Sequence, residues 1–213
     1  MNELLQTIYD AILNGEKAET AEGVQAALSA GLDPATILSD GMIAAMKEVG
    51  KRFEEGDFYV PEMLISARSM QNGLAVLKPE LLKSHVKSMG KVAIGTVKGD
   101  LHDIGKNLVG MMMEGSGFDV IDLGTDVDPA KFVAVVQEQS PDIIALSALL
   151  TTTMPMMEKT ISVLQAAGLR QKVKVIIGGA PVNQAFADQI GADGYSPDAS
   201  RAASLAQSLI AAG

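Results

Sequence analysis

The residue best suited to metal chemistry in this sequence is His102, which stands between Asp100 and Asp103 in a short loop that ends at Gly105. A metal-ligating histidine normally donates its second ring proton to a carboxylate, and Asp100, two residues earlier, can reach the ring from an extended loop. Asp103 is better explained as a solvated carboxylate at the start of a helix, where the helix dipole favours it. The loop therefore predicts a histidine ligand that is oriented by Asp100.

One histidine makes a poor site for a bare metal ion. The chain has no cysteine and only one other histidine, His85. A tetrapyrrole supplies its own equatorial ligands and asks the protein for one axial group, so the scarcity of ligands favours a metal-containing cofactor. Taken alone, a histidine in a polar loop is more often a hydrogen-bonded surface residue, and the interpretation depends on the rest of the site.

Two further loops carry unusual residue types. The stretch 147–153 places Ser147, Leu149 and Thr151 directly after an apolar run. Gly178 and Gly179 have no side chains, so a ligand could contact the backbone there. With the histidine loop, they predict a long slot suited to an extended, nucleotide-like tail. Two simpler explanations stay open: Ser147 could cap the next helix, and paired glycines are common in turns after strands.

The elements that position these loops alternate between strands and helices. Strands are predicted at residues 91–97, 119–123, 143–147, 173–177 and 194–195, and helices at 104–114, 129–139, 154–167, 183–190 and 199–211. Such alternation indicates right-handed crossovers and a doubly wound, parallel five-stranded sheet of the α/β class. Ligands bind such sheets at the carboxyl ends of the strands, where all three loops lie.

The first part of the chain follows a helical pattern instead. Apolar residues recur at helical spacing up to about Leu82, with breaks expected at Gly15, residues 31–34, Gly56 and Pro79, which predicts a bundle of about four helices. The polar stretch 82–90 separates the two patterns and is predicted to be a hinge. We therefore expect a helical domain at residues 1–88 and an α/β domain at residues 89–213.

Composition excludes several function classes. The net charge of −9 and the absence of tryptophan argue against nucleic-acid binding, and the absence of cysteine rules out disulfides, iron–sulfur clusters and thiolate catalysis. No apolar run approaches the roughly 20 residues needed to cross a bilayer, and residues 1–10 are acidic, unlike a signal peptide. We expect a cytoplasmic protein that binds neither nucleic acid nor membrane.

The motif Asp100-x-His102-x-x-Gly105, followed by Ser147-x-Leu149 and then by the glycine pair, resembles the signature of cobalamin-binding domains. The helical part, with Val49-Gly50-x-x-Phe53 and a second motif that starts at Val60-Pro61, is similar to the cap domain that precedes the cobalamin domain in methionine synthase and in methyltransferase corrinoid proteins. The resemblance covers nearly the whole chain. It implies a helical cap followed by a Rossmann-like (flavodoxin-like) domain that binds cobalamin, in a methylcobalamin form during turnover.

The resemblance also implies roles for individual residues. His102 would replace the benzimidazole of the cofactor as the lower axial ligand of cobalt, with Asp100 as its hydrogen-bond partner and Ser147 completing a proton relay. The other cofactor-binding residues implied are Gly105, Leu149, Thr151, Gly178, Gly179 and Tyr195 around the tail, and Phe53 and Val60 over the upper face of the corrin.

The size of the chain resembles that of small corrinoid proteins that serve methanol, methylamine, betaine or methoxyaromatic methyltransferases. This implies a methyl carrier, without turnover of its own, that accepts a methyl group from a substrate-specific methyltransferase and delivers it to a second methyltransferase with a tetrahydrofolate or thiol acceptor. A corrinoid-reducing activase would be a further partner. The alternatives are a corrinoid-dependent sensor, a cofactor-free or flavin-type protein in which His102 is incidental, and a fragment of a larger isomerase or methionine synthase.

Overall fold

The structure is a computed structural model that describes residues 2–84 and 88–212. By their internal contacts the residues form two compact units, Met1–Ser88 with Glu114–Gly117, and Met89–Met113 with Phe118–Gly213. The predicted hinge at residues 82–90 includes positions 85–87, and these, with His85 among them, lie outside the described residues. No helix in the described part of the chain is long and apolar enough to cross a membrane.

The first unit is helical, as its pattern predicts. Its elements are α1 (Glu3–Asn14), α2 (Lys17–Ser29), α3 (Pro34–Thr36), a π-helical stretch (Ile37–Ile43), α4 (Ala44–Glu55) and α5 (Val60–Lys83). Asn2 caps the start of α1 by accepting a hydrogen bond from the Leu4 amide at 2.9 Å, and Gly15 ends the helix in the left-handed conformation with φ of 75°.

The prediction of a helix break at Pro79 was wrong. Helix α5 continues through Pro79 to Lys83, into the start of the predicted hinge. A proline in a helix loses one backbone hydrogen bond, but Leu77 and Leu81 on either side of it are both buried. Burial of these leucines offsets the lost bond and keeps the segment helical.

The second unit is a five-stranded, all-parallel sheet with intervening helices, which confirms the predicted α/β fold. The strands are β1 (Lys91–Thr96), β2 (Asp119–Asp122), β3 (Ile143–Ser147), β4 (Lys174–Gly178) and β5 (Gly194–Ser196), in the order β2-β1-β3-β4-β5. The helices are α6 (Ile104–Gly115), α7 (Pro129–Gln139), α8 (Pro155–Ala166), α9 (Gln184–Ile190) and α10 (Ala199–Ala211).

The core of this unit explains why the central strands are apolar throughout. Ile144, on β3, is buried together with Phe132 from α7 and Val175 from β4. Gly95 on β1 leaves the room that Phe132 needs, because a Cβ there would lie 2.9 Å from the Phe132 ring. Strands covered on both faces read as continuous apolar runs, so the loops at their carboxyl ends rest on a rigid base.

Candidate functional site

The loop that carries His102 begins where β1 ends and is folded by its own backbone. The Asp100 amide donates to the Val97 carbonyl at 3.1 Å, and Gly99 between them has φ of 82°, a left-handed conformation that favours glycine. The buried hydroxyl of Thr96 donates to the His102 carbonyl at 2.8 Å. The tight turn buries the Asp100 side chain and leaves the His102 side chain half exposed.

The carboxylate of Asp100 is fully buried and is the centre of a hydrogen-bond network. Its Oδ1 accepts from His102 Nδ1 at 2.7 Å and from the His102 amide at 3.1 Å. Its Oδ2 accepts from the Leu149 amide at 2.8 Å, the Leu150 amide at 3.3 Å and the Thr153 hydroxyl at 2.7 Å. The loops after β1 and β3 are therefore joined through one side chain.

These bonds decide the protonation state of the pair. Burial alone would raise the pKa of Asp100, but the hydrogen bonds from His102, Thr153 and Leu149 outweigh it and hold that pKa well below its ordinary range. An ionised carboxylate can only accept, so Nδ1 of His102 carries a proton, and Nε2 is the ring nitrogen left to bind a metal. Among the described residues Nε2 has no hydrogen-bond partner, and the His102 side chain is 51 % exposed.

Thr153 is the hydroxyl that donates to Asp100, whereas the resemblance to cobalamin-binding domains implied Ser147 for this role. Ser147 is half-buried, its carbonyl accepts from the Val97 amide at 3.0 Å, and its hydroxyl has no hydrogen-bond partner within the described ranges. The hydrogen-bonded chain therefore runs from His102 through Asp100 to Thr153. Ser147 as a cofactor-binding residue stays a prediction.

The glycine pair has a reason to be glycine within the protein itself. A Cβ on Gly179, which has φ of 132°, would lie 1.9 Å from the Ala148 carbonyl oxygen, and one on Gly178 would lie 3.2 Å from the Ser196 carbonyl oxygen. Close approach of the backbone explains both residues, and their contact with a tail stays a prediction. Gly105 differs, because it is exposed and a Cβ there would meet no atom within 4 Å.

The remaining residues predicted for the tail lie on the same unit. Leu149 and Thr151 are exposed in the loop after β3, and Tyr195 on β5 is partly buried against the core. Phe53 and Val60 belong to the first unit, where Phe53 is half-buried and the side chain of Val60 is exposed. Their shielding of a corrin face stays a prediction.

The described residues fit a cofactor that brings its own metal. No group of three or more His, Cys, Asp or Glu residues able to hold a metal ion occurs in residues 2–84 and 88–212. One open imidazole nitrogen is what a tetrapyrrole metal requires. On either side of His102, Leu101 and Ile104 are 73 % and 76 % exposed and present an apolar surface suited to the face of a large ring.

Comparison with known proteins agrees with this chemistry. A family model described as a B12 binding domain matches residues 90–204, and a second model with the same description matches residues 4–78. The chain is 43 % identical over 210 residues to the trimethylamine corrinoid protein 1 of Methanosarcina acetivorans, covering 98 % of this chain and 97 % of the relative.

Two solved structures share the fold over nearly the whole chain. A cobalamin-binding protein from Desulfitobacterium hafniense DCB-2 gives a TM-score of 0.81 at 33 % identity, covering 96 % of this chain and 98 % of the other. The methanol:cobalamin methyltransferase complex of Methanosarcina barkeri contains a chain that gives a TM-score of 0.87 at 34 % identity, covering 100 % of this chain and 81 % of the other. The family prediction is confirmed: the chain belongs to the corrinoid proteins built from B12 binding domains.

Proposed function

We propose that this protein is a corrinoid methyl carrier in which His102 Nε2 is the axial ligand of cobalt. The observation that carries the proposal is the His102–Asp100 pair, in which Nδ1 is held at 2.7 Å from a buried carboxylate and Nε2 is open. When bound, the corrinoid would supply a cobalt centre able to carry a methyl group. The trimethylamine relative and the methanol methyltransferase complex support this role.

In this proposal Asp100 orients the ring, and Thr153 supports Asp100 with a hydroxyl that can switch acceptors. Asp100 keeps Nδ1 protonated and raises the basicity of the ligand nitrogen, as outer carboxylates do in other metal sites. Thr153 lies 2.7 Å from Asp100 and 2.9 Å from the Leu150 carbonyl, so its single proton can turn from one acceptor to the other. Thr153 can therefore stay hydrogen-bonded whether or not it donates to Asp100.

The other predicted contacts become parts of the same proposal. Gly105 lets a ring approach the start of α6 closely, because no protein atom occupies the position of its missing side chain. The remaining tail-slot residues are Ser147, Leu149, Thr151, Gly178, Gly179 and Tyr195. Phe53 and Val60 would shield the opposite face of the corrin from water and oxygen. We propose residues 1–88 as the cap and 89–213 as the cobalamin domain, supported by the two family matches.

The proposed partners are three. A substrate-specific methyltransferase would methylate the carrier, which the similarity to a chain of a methyltransferase complex supports. A second methyltransferase, with a tetrahydrofolate or thiol acceptor, would remove the methyl group, and an activase would restore the reduced cofactor. A sensor function is not favoured, because the trimethylamine corrinoid protein 1 of Methanosarcina acetivorans is similar over 98 % of this chain.

The test is the visible spectrum of the full chain loaded with methylcobalamin. We expect nitrogen-coordinated cobalt in the wild type and a spectrum without axial nitrogen in His102→Ala. The matched control is His85→Ala, which removes the other histidine of the chain and is expected to leave the spectrum unchanged. Identical spectra for the wild type and His102→Ala would refute the ligand assignment.

The carrier role needs a second measurement. The loaded, reduced protein is mixed with its cognate methyltransferase and with trimethylamine, dimethylamine or methanol, and methyl transfer to the protein is followed by mass spectrometry of the extracted corrinoid. Transfer from one donor, absent with His102→Ala, supports the carrier and identifies the donor. A protein that binds corrinoid and accepts no methyl group from any donor would favour the sensor.

A further inference from the structure

The loop between β2 and α7, to which the sequence pattern assigned no function, runs beside the His102 loop. The Thr96 amide donates to the Gly124 carbonyl at 3.0 Å, and the Val127 amide donates to the Thr96 carbonyl at 2.9 Å. Beyond them, the Asp126 amide donates to the Asp100 carbonyl at 2.9 Å. The pairing of β1 with β2 is thus extended past both strands, to the residue that holds the histidine ring.

Asp126 adds its side chain to this contact. Its carboxylate accepts from the Gly99 amide at 2.8 Å and from Lys98 Nζ at 3.2 Å. Asp126 has φ of 53°, a left-handed conformation that glycine adopts with least strain and that aspartate tolerates better than most residues. Glycine at this position would relieve the backbone but would lose both acceptors, so the carboxylate itself explains the aspartate.

A second contact holds the other end of the His102 loop. Lys106, in the first turn of α6, has a side chain only 2 % exposed, and its Nζ lies 2.7 and 2.6 Å from the two carboxylate oxygens of Asp122 at the end of β2. Asp122 also accepts from the Gly124 amide at 2.9 Å. The Asp122 side chain is 51 % exposed, whereas the Lys106 ammonium group is nearly buried and has Asn107 Oδ1, at 2.6 Å, as its other acceptor. Loss of Asp122 would leave this buried charge without a carboxylate partner, so the contact is a firm attachment for the start of α6.

We propose that the segment 122–126 positions His102 by holding its loop at both ends, with Asp126 attached before the histidine and Asp122 after it. Asp100 then presents its carboxylate in one orientation, and the ring it holds has one direction for Nε2. Asp126 and Asp122 are positioning residues that touch neither the ring nor a ligand, and they act through residues 98–106. The inference rests on His102 as the cobalt ligand.

The variants that test it are Asp126→Ala and Asp126→Asn. Alanine removes both acceptors, whereas asparagine keeps a side-chain oxygen for the Gly99 amide, so it should restore what alanine loses. Because Asp126 lies on the surface, both variants should fold. The matched control is Asp119→Ala, an exposed carboxylate at the start of the same β2 strand, which removes the same charge away from the loop.

Three quantities are measured on the full chain. The first is amide hydrogen exchange of Gly99 in the protein without cofactor, which we expect to be faster by on the order of tenfold in Asp126→Ala. The second is the affinity for methylcobalamin, expected to fall roughly threefold, below the ~10–100-fold typical of residues bonded directly to a ligand. The third is the fraction of loaded protein with axial nitrogen in its visible spectrum, expected to be lower. Asp126→Asn and Asp119→Ala should match the wild type in all three.

The outcomes separate the two proposals. If the wild type coordinates cobalt through His102 and Asp126→Ala has the same affinity and spectrum, the positioning role is refuted while the carrier stands. Unchanged hydrogen exchange of the Gly99 amide in Asp126→Ala also refutes it, because the hydrogen bond from Gly99 to Asp126 would then not stabilise the loop. If the wild type shows no axial nitrogen, the proposed ligand fails first and this inference fails with it.

Discussion

Two carboxylates of the α/β unit each pair with a basic side chain. One pair lies at the amino ends of the strands, here called the amino edge of the sheet, and the other lies at their carboxyl ends, the carboxyl edge. At the amino edge, Arg170 and Asp193 lie 2.8 Å apart, and at the carboxyl edge His102 and Asp100 lie 2.7 Å apart. Arg170 also donates to the carbonyls of Val173 and Gly191, and Asp193 accepts from the Val175 amide at 2.7 Å. The contacts of Arg170 and Asp193 are all made with residues of the α/β unit itself.

The two pairs differ in the polar atoms that remain free to bind another group. The Arg170 side chain is 15 % exposed and is committed to three acceptors, so the amino-edge pair closes the structure between β4 and β5. At the carboxyl edge the carboxylate is saturated by donors, but the imidazole is half exposed and keeps Nε2 open. The Arg170 pair therefore directs its hydrogen bonds into the protein, whereas the His102 pair saturates Asp100 and leaves Nε2 as a free atom in a fixed direction, which is what a binding site needs.

The largest effect is expected from Asp100→Ala, because it removes the acceptor of five hydrogen bonds. The amides of Leu149 and Leu150 would lose their buried acceptor, and the Thr153 hydroxyl would keep only the Leu150 carbonyl, which together costs about 2–3 kcal/mol of unfolding free energy. The affinity for corrinoid should also fall about 10–100-fold, since the His102 ring loses its orientation. Urea unfolding and a binding titration measure the two effects.

Its control is Asp103→Ala, one residue beyond His102. Asp103 is exposed and accepts from the Asn107 amide group at 3.2 Å, so its loss should change the unfolding free energy by less than about 0.5 kcal/mol. Equal effects of the two variants would show that the hydrogen bonds of Asp100 are not what distinguishes the carboxyl edge.

Arg170→Ala should separate stability from binding in the opposite sense. It removes the charged partner of Asp193 and the donors to Val173 and Gly191, which we expect to cost about 2 kcal/mol. Corrinoid affinity and the axial nitrogen band should not change, because the residue lies at the far edge of the sheet. A loss of affinity in a variant that is still folded would contradict the division of the sheet into a structural edge and a binding edge.

Acid should weaken the carboxyl-edge network. The pKa of Asp100 is lowered in the fold, so the ionised group contributes stability above the ordinary carboxyl pKa of about 4, and this contribution is lost as the pH falls below it. The pKa values of Asp122 and Asp126 are also lowered, so part of the acid sensitivity remains without Asp100. The free energy of unfolding of Asp100→Asn should therefore fall less steeply below about pH 4 than that of the wild type.

Chemical denaturation at a series of pH values checks this slope. Parallel curves for Asp100→Asn and the wild type would mean that Asp100 binds its proton equally well in the folded and unfolded chain. The comparison uses slopes because the amide of asparagine places donors next to the Leu149 and Thr153 donors, and this changes the stability at every pH.

The sheet and the histidine loop could be predicted from the sequence because their signals are local. Each strand is an apolar run between polar turns, and the motif at Asp100 and His102 predicts the hydrogen bond that joins these two side chains. Pro79 was misjudged because a proline rule is local, whereas burial of Leu77 and Leu81 is not.

The parts that could not be predicted depend on how the loops wind in space. Three threonines follow one another at residues 151–153, and only the path of the chain decides that Thr153 faces Asp100. Asp126 gave no signal beyond a carboxylate near a glycine, because its left-handed φ and its bond to Gly99 exist only in the folded loop. The glycine at position 179 could be noticed, but its crowding against Ala148 could not.

The smallest expected effects come from the two hydroxyls that could serve Asp100. Thr153→Val keeps the shape of the side chain and removes one donor to the buried carboxylate, which should cost about 1 kcal/mol and raise the pKa of Asp100 towards its ordinary value. Ser147→Ala removes a hydroxyl without a partner in the described residues and should change the unfolding free energy by less than about 0.5 kcal/mol.

If Ser147 lines the tail slot, Ser147→Ala will lower corrinoid affinity at unchanged stability, whereas Thr153→Val will lower both affinity and stability. The reverse order of stabilities would mean that Ser147 is the hydroxyl that Asp100 needs.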